Sequence, residues 1–208
     1  MSGIVALLGG GPFVANDELD ASLLAEVDAD RVVVLPTADA FEQPSVLLDA
    51  ATAWGQRLGV TVDGLPVLQR PDADDPEMAA ALDGARAVYL VGDSSMHLRA
   101  ALKETAVWRA IGGLLDRGGL VAAAGASAAA LCDPMLDQRG GAFTLGLGLV
   151  AGVAAVPEAD TLSEEQLHRT RSLADTPVVE LPTGAAAIRR ATGWQLVGGA
   201  AATGVLPY

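Results

Sequence analysis

The sequence is poor in the residues that build disulfides and metal sites. A single cysteine, Cys132, excludes a disulfide within the chain and favours a reducing, cytoplasmic setting. Two histidines, His97 and His168, are too few to form a zinc site with that cysteine. We therefore expect no metal and no other cofactor.

Positive charge and aromatic side chains are also scarce. The chain has 13 Lys and Arg against 26 Asp and Glu, for a net charge of −13. A nucleic-acid partner would require clustered cations, and an anionic membrane surface would too, so neither partner is expected. Aromatic residues make up 4% of a sequence that is 51% hydrophobic, so Ala, Val and Leu must build the core.

Long apolar segments are absent as well. The Ala-rich run 119–131 is too short to cross a membrane and is interrupted by Gly and Ser. The first residues lack the basic segment of a signal peptide. The 208 residues suffice for one sizeable core, and no linker or repeat divides them, so residues 1–208 are predicted to form a single domain.

Short apolar runs alternate with segments of helical periodicity. The runs predict strands over 4–8, 31–36, 60–68, 87–91 and 119–124, and the periodic segments predict helices over 16–27, 43–58, 75–82 and within 95–116. This alternation is typical of an α/β three-layer sandwich, with a mostly parallel sheet and helices on both faces. Later segments add a capping box at 163–166, which begins a short helix, and a small C-terminal β-hairpin region with short β segments at 177–181, 185–189, 194–199 and 203–206.

Three loops follow predicted strands, where ligands gather in open α/β sheets. They are GGG (9–11), GDSS (92–95) and GASAA (125–129). In the third, a sharp turn with Ser127 at its apex would form a nucleophile elbow, with the hydroxyl near the positive end of the next helix. Alternatively, Ser127 merely caps a helix over 128–131, and Asp93 or Ser94 caps another in an ordinary turn.

A serine nucleophile needs a general base. His97 follows the 92–95 loop closely, whereas His168 lies in a polar predicted helix, and the pattern favours a surface histidine at each position. Cys132 is a further nucleophile candidate, but a cysteine within a predicted helix is typical of a buried structural thiol.

These motifs resemble a known family. GASAAA (125–130) resembles the G-x-S-A-G-A element of the S51 peptidases, the group that contains dipeptidase E and cyanophycinase. The resemblance covers most of the chain, and its further motifs follow in the family's order: GGG at 9–11, PTA at 36–38, VGDS at 91–94, GLGL at 146–149 and WQLVG at 194–198.

The resemblance implies a fold similar to class I glutamine amidotransferases and a serine–histidine mechanism. Such enzymes cleave unusual dipeptide links, often beside an acidic residue. Ser127 would be the nucleophile, and the backbone N–H groups of Gly92 and Ala128 would form the oxyanion hole. Gly10, Asp93 and Ser94, in two of the loops named above, would bind substrate.

The chain departs from the family at the base. Glu158 stands at or beside the position of the family histidine, and His168 comes ten residues later. The family's acidic GIDE pair is replaced by Pro182 and Thr183. A glutamate of ordinary pKa, about 4.3, is a poor base for a serine near neutral pH unless burial raises its pKa.

Two functions follow. The first is an S51-like serine hydrolase that acts on a small peptide or amide through Ser127, with Glu158, His168 or His97 as base. The second is a catalytically inactive relative that binds a small metabolite or a protein partner. The expected ligand is a small peptide or amino-acid-like molecule, and a homodimer is left open as the assembly.

Overall fold

A seven-stranded sheet organises residues 2–137 and 141–207, the part of the chain that the computed structural model describes. The strands, in chain order, are β1 (Ile4–Leu8), β2 (Arg31–Leu35), β3 (Thr61–Gly64), β4 (Ala87–Leu90), β5 (Leu120–Ala124), β6 (Cys132–Asp133), β7 (Met135–Asp137), β8 (Ala142–Thr144), β9 (Val150–Ala151), β10 (Ala154–Pro157), β11 (Val178–Leu181), β12 (Ala186–Arg190), β13 (Gly193–Val197) and β14 (Ala201–Thr203). The α-helices are α1 (Asp17–Glu26), α2 (Pro44–Leu58), α3 (Arg70–Asp74), α4 (Pro76–Ala80), α5 (Ser95–Leu102), α6 (Ala106–Asp116), α7 (Ala126–Leu131) and α8 (Glu164–Leu173).

The main sheet has the order β13-β12-β1-β5-β4-β2-β3. Its five strands from β3 to β1 run parallel, while β12 pairs antiparallel with both β1 and β13. The predicted C-terminal hairpin therefore exists, but it extends the main sheet instead of forming a region of its own. The described residues also form three small sheets, and the largest has the order β10-β11-β14.

Helices cover both faces of the sheet, as the sequence predicted. One face packs against α1 and α2 around the aromatic residues Phe13, Trp54 and Tyr89. The other face packs against α3, α5, α6 and α7 with aliphatic side chains such as Ile111 and Leu98. Because both faces are covered, strands β1 and β5 are buried along their whole length, which explains their uninterrupted apolar sequence.

Local sequence signals explain most element ends. The predicted capping box at 163–166 is confirmed, since Ser163 and Gln166 bond each other's backbone N–H groups at the start of α8. The predicted strand 60–68 is too long, because β3 pairs only with β2 and only over four residues. The sequence also missed the short helix α3, which a second capping box between Gln69 and Asp72 begins.

No helix in the described residues is long and apolar enough to cross a membrane.

Candidate active site

The sharp turn after β5 is formed by a glycine. Gly125 has φ 59° and ψ −134°, a conformation that is costly for any residue with a Cβ atom. Helix α7 begins directly after it, at Ala126. A Cβ atom placed on Gly125 would have no heavy atom within 4 Å, so the apex of the turn faces open space.

Ser127 does not occupy this apex. The elbow geometry expected at Ser127 is found two residues earlier, and Ser127 is the second residue of α7, with 0% exposure. Its hydroxyl donates to the carbonyl oxygen of Gly92 over 3.3 Å. The alternative of a helix cap is also wrong, because Gly125 is the N-cap. The correction has a physical reason: of the two residues, glycine reaches positive φ at much lower cost.

The two predicted oxyanion-hole residues, Gly92 and Ala128, have different surroundings. The N–H of Ala128 donates to the carbonyl of Gly125 over 2.9 Å, so that donor is already engaged within the turn. Gly92 has φ 115°, and a Cβ atom there would lie 2.6 Å from the backbone nitrogen of Asp39. Glycine is therefore required where the turn after β4 passes against the turn after β2.

Glu158 lies beside the first glycine loop. It follows β10 in a left-handed conformation with φ 52°, and its N–H donates to the Gly9 carbonyl over 3.0 Å. A Cβ atom on Gly10 would come within 2.7 Å of the Glu158 Cγ, so these two predicted site residues are in contact. Burial raises the pKa of the Glu158 carboxyl, and the charges of Asp93 and Asp160 raise it further.

Neither histidine is paired with Ser127. The Nε2 atom of His97 lies 2.7 Å from the carbonyl oxygen of Leu68, and its ring packs against Phe41. His168 lies exposed on α8. Within the described residues, no hydrogen bond joins Ser127 to Glu158 or to either histidine.

Cys132 is a buried thiol, as the structural alternative expected. It is 0% exposed, and burial raises the pKa of its thiol to about 12. A thiol of that pKa remains protonated at neutral pH and is a poor nucleophile.

A cleft of about 290 Å³ opens beside the Gly92 loop. Predicted binding residues Asp93 and Ser94 line it, and Ser94 also caps α5 by accepting from the N–H of His97. Ser95, which belongs to the predicted ligand loop 92–95, lines the same cleft, and so does Glu42, which sequence reasoning missed. Because β2 and β4 are neighbouring parallel strands, the turns that follow them lie at the same edge of the sheet. The position of Glu42 after the carboxyl end of a predicted strand was the sequence signal that could have identified it.

The described residues contain no group of side chains that could serve as metal ligands. Among residues 2–137 and 141–207, no three His, Cys, Asp or Glu side chains are placed so that they could hold an ion.

No protein-family model matches this sequence, and no curated protein matches it. Solved structures do match, over almost the whole chain. A peptidase from an acI-B1 Actinobacterium is 25% identical, with a TM-score of 0.85 over 95% of this chain and 88% of that one. A Peptidase E candidate from Listeria monocytogenes EGD-e is 17% identical, with a TM-score of 0.74 over 95% of this chain and 98% of that one.

The fold is thus an α/β fold of the peptidase E type. The structural neighbours are peptidases, and the resemblance to S51-like peptidases that the sequence predicted is confirmed.

Proposed function

We propose that this chain is a non-catalytic relative of the S51-like peptidases that binds a small peptide or amino-acid-like ligand. The ligand occupies the cleft at the carboxyl edge of the sheet. The peptidase neighbours support a peptidase-like function at the level of the scaffold. The geometry of the elbow supports a non-catalytic role for this scaffold.

The observation that carries the proposal is the side chain missing from the apex. A nucleophile must approach the substrate carbonyl to about 3 Å in the right orientation. A side chain at position 125 would point into open space at this elbow, but Gly125 has no side chain. The nearby hydroxyl of Ser127 is fully buried and donates to Gly92.

The missing base supports the same conclusion. A serine hydroxyl is a weak nucleophile until an adjacent base accepts its proton. The Glu158 side chain lies against Gly10, with no hydrogen bond to Ser127 among the described residues, and His97 is bonded to the carbonyl of Leu68. His168 is exposed on α8.

The binding part of the proposal depends on the cleft. Its size suits a dipeptide or an amino acid, and its lining combines Asp93 and Ser94 with the exposed ring of Phe41. A cytoplasmic location and a homodimer stay predictions, and we propose neither nucleic acid nor membrane as a partner.

One observation favours a second candidate, a serine hydrolase acting through Ser127. The raised pKa of Glu158 would make it a better base near neutral pH than an ordinary glutamate. This candidate requires a movement that releases Ser127 from Gly92 and brings a base to it. The first proposal requires no such movement.

A fluorophosphonate probe separates the two candidates. We expect no labelling of the native protein, together with unchanged dipeptides after long incubation. Binding of dipeptides is measured in parallel by isothermal titration calorimetry. The matched variants are Ser127→Ala and Ser172→Ala, the latter removing an exposed hydroxyl on α8.

The decisive contrary result is specific. Labelling of the native protein and of Ser172→Ala, but not of Ser127→Ala, would establish Ser127 as an activated nucleophile and remove the non-catalytic proposal. Absence of labelling, with dipeptide binding that survives in Ser127→Ala, supports it.

A further inference from the structure

An acidic wall, formed by Asp39, Glu42 and Asp93, lies beside the Gly92 loop between the cleft and an adjoining depression. The first two residues follow β2, and the third follows β4. Because β2 and β4 are neighbouring parallel strands, their carboxyl ends bring these three carboxylates to one edge of the sheet. Glu42 and Asp93 line the cleft, and both also border an adjoining depression with Asp39.

No cation among the described residues is paired with the acidic wall. Within residues 2–137 and 141–207, none of its three carboxylates forms an ion pair with Lys or Arg. The pKa of Asp39 is raised, first by burial and then by the charges of Asp93 and Glu42, although the Asp93 backbone N–H bonds to it. Asp93 also raises the pKa of Glu158. These groups repel one another, and a bound cation would relieve that repulsion.

A second observation, independent of charge, marks the same cleft as a binding site. Ser95 is 5% exposed and lines the cleft. The hydroxyl of its neighbour Ser94 accepts a hydrogen bond from the backbone N–H of His97 and so caps α5. The Ser95 hydroxyl has no hydrogen-bond partner among the described residues. Ser95 is buried as a residue, but its hydroxyl oxygen is not among the atoms closed off from solvent, so it opens into the cleft and can bond to a polar group of a ligand.

The rim of the cleft is apolar. Phe41 is 78% exposed and Met96 is 38% exposed, and both line the cleft beside the acidic wall. The Phe41 ring packs edge-on against His97, with ring centroids 4.7 Å apart, and this contact holds it in place. Apolar surface next to carboxylates suits a cation carried on a hydrocarbon stem, as in Lys and Arg side chains.

We propose that this cleft selects a short peptide with a Lys or Arg side chain. The cationic head lies against the acidic wall, the stem packs on Phe41 and Met96, and a polar group of the peptide bonds to the Ser95 hydroxyl. This inference rests on the proposed function and names its ligand class. An acidic residue, which the family resemblance implies for the substrate, would be repelled here.

Calorimetric titration with three dipeptides tests the selection. Ala-Lys, Ala-Gln and Ala-Glu share a scaffold and differ in the charge of one side chain. We expect Ala-Lys to bind about tenfold more tightly than Ala-Gln, as for one charge-assisted hydrogen bond, and Ala-Glu to bind weakest. Raising the salt from about 20 mM to about 300 mM weakens Ala-Lys several-fold, because salt screens partly exposed charges.

Matched variants locate the effect. Asp93→Asn and Glu42→Gln each lower the affinity for Ala-Lys about fivefold to tenfold and leave Ala-Gln nearly unchanged. Ser95→Ala weakens all three dipeptides alike, since its hydroxyl does not read charge. Glu165→Gln removes one exposed carboxylate on α8 and leaves all affinities unchanged. Circular dichroism confirms that each variant is folded before titration.

The outcomes separate this inference from the proposed function. Equal affinity for Ala-Lys and Ala-Glu, or an equal loss in Glu165→Gln and Asp93→Asn, would overturn charge selection and leave dipeptide binding in place. Cleavage of Ala-Lys would overturn the non-catalytic proposal and leave charge selection in place. Failure of all three dipeptides to bind would overturn both.

Discussion

Replacing Asp20 by Asn measures what a buried carboxyl costs this fold at neutral pH. Asp20 lies on α1 and is 4% exposed, among the aromatic side chains between α1, α2 and the sheet. The indole N–H of Trp54 donates to its Oδ2 over 3.2 Å. Burial raises the pKa of Asp20 to about 7; the Trp54 hydrogen bond partly opposes this, and the charge of Asp17 adds to it.

The direction of the pH effect follows from proton binding. The folded state retains a proton up to about pH 7, whereas the unfolded carboxyl loses it near pH 3.8. Stability from this group is therefore complete below about pH 4 and is lost as the pH rises to about 7. At 1.36 kcal/mol per pKa unit, the loss is about 4 kcal/mol, or roughly 8–16 °C in Tm for a chain of this size.

Thermal unfolding between pH 4 and pH 8 tests the estimate. We expect the Tm of the native protein to fall relative to that of Asp20→Asn across this range, because the amide keeps the Trp54 hydrogen bond without ionising. Glu18→Gln is the control, since it removes an exposed carboxylate from the same helix. Parallel Tm curves for the native protein and Asp20→Asn would refute the reasoning.

Three further predictions concern buried or constrained groups. Iodoacetamide at pH 8 leaves Cys132 unmodified in the folded protein and modifies it after denaturation, since the thiol is buried and its pKa is about 12; rapid labelling of the folded protein would contradict this. Gly92→Ala lowers stability by about 1–3 kcal/mol and impairs dipeptide binding, because φ is 115° and the new Cβ would lie 2.7 Å from the Ala38 carbonyl carbon; an unchanged Tm and affinity would exclude that strain. Tyr89→Phe keeps or raises the Tm, because the buried hydroxyl has no hydrogen-bond partner among the described residues; a loss above about 1 kcal/mol would show that one exists.

The sheet and its helices could be predicted because the apolar runs are nearly uninterrupted and well separated along the chain. The runs that became β2 and β5 are almost free of polar residues, which is the pattern of strands covered on both faces. The elbow was misplaced by two residues because the motif GASAAA offers both a glycine and a serine. Sequence likeness favoured Ser127, whereas backbone strain decides for Gly125.

The rest of the site depends on which strands become neighbours. Asp39 and Asp93 meet because β2 lies beside β4, although β3 separates them in the chain. Glu158 reaches Gly10 from β10, which belongs to a separate three-stranded sheet. Strand order is set by long-range packing, so a local sequence pattern could not predict that Asp39 lies near Asp93 or Glu158 near Gly10.

The pairing of β1 with β12 also has a consequence for biosynthesis. Val5 of β1 pairs with Arg189 of β12, so one edge of β1 stays unpaired until the ribosome has synthesised β12. Until then, an apolar strand edge is open to mispairing with other nascent chains. The pairing also raises the mean separation of contacts along the chain, which slows folding. We therefore expect the hairpin of β12 and β13 to dock last, and its arrival to end the interval in which the growing chain is most prone to aggregate.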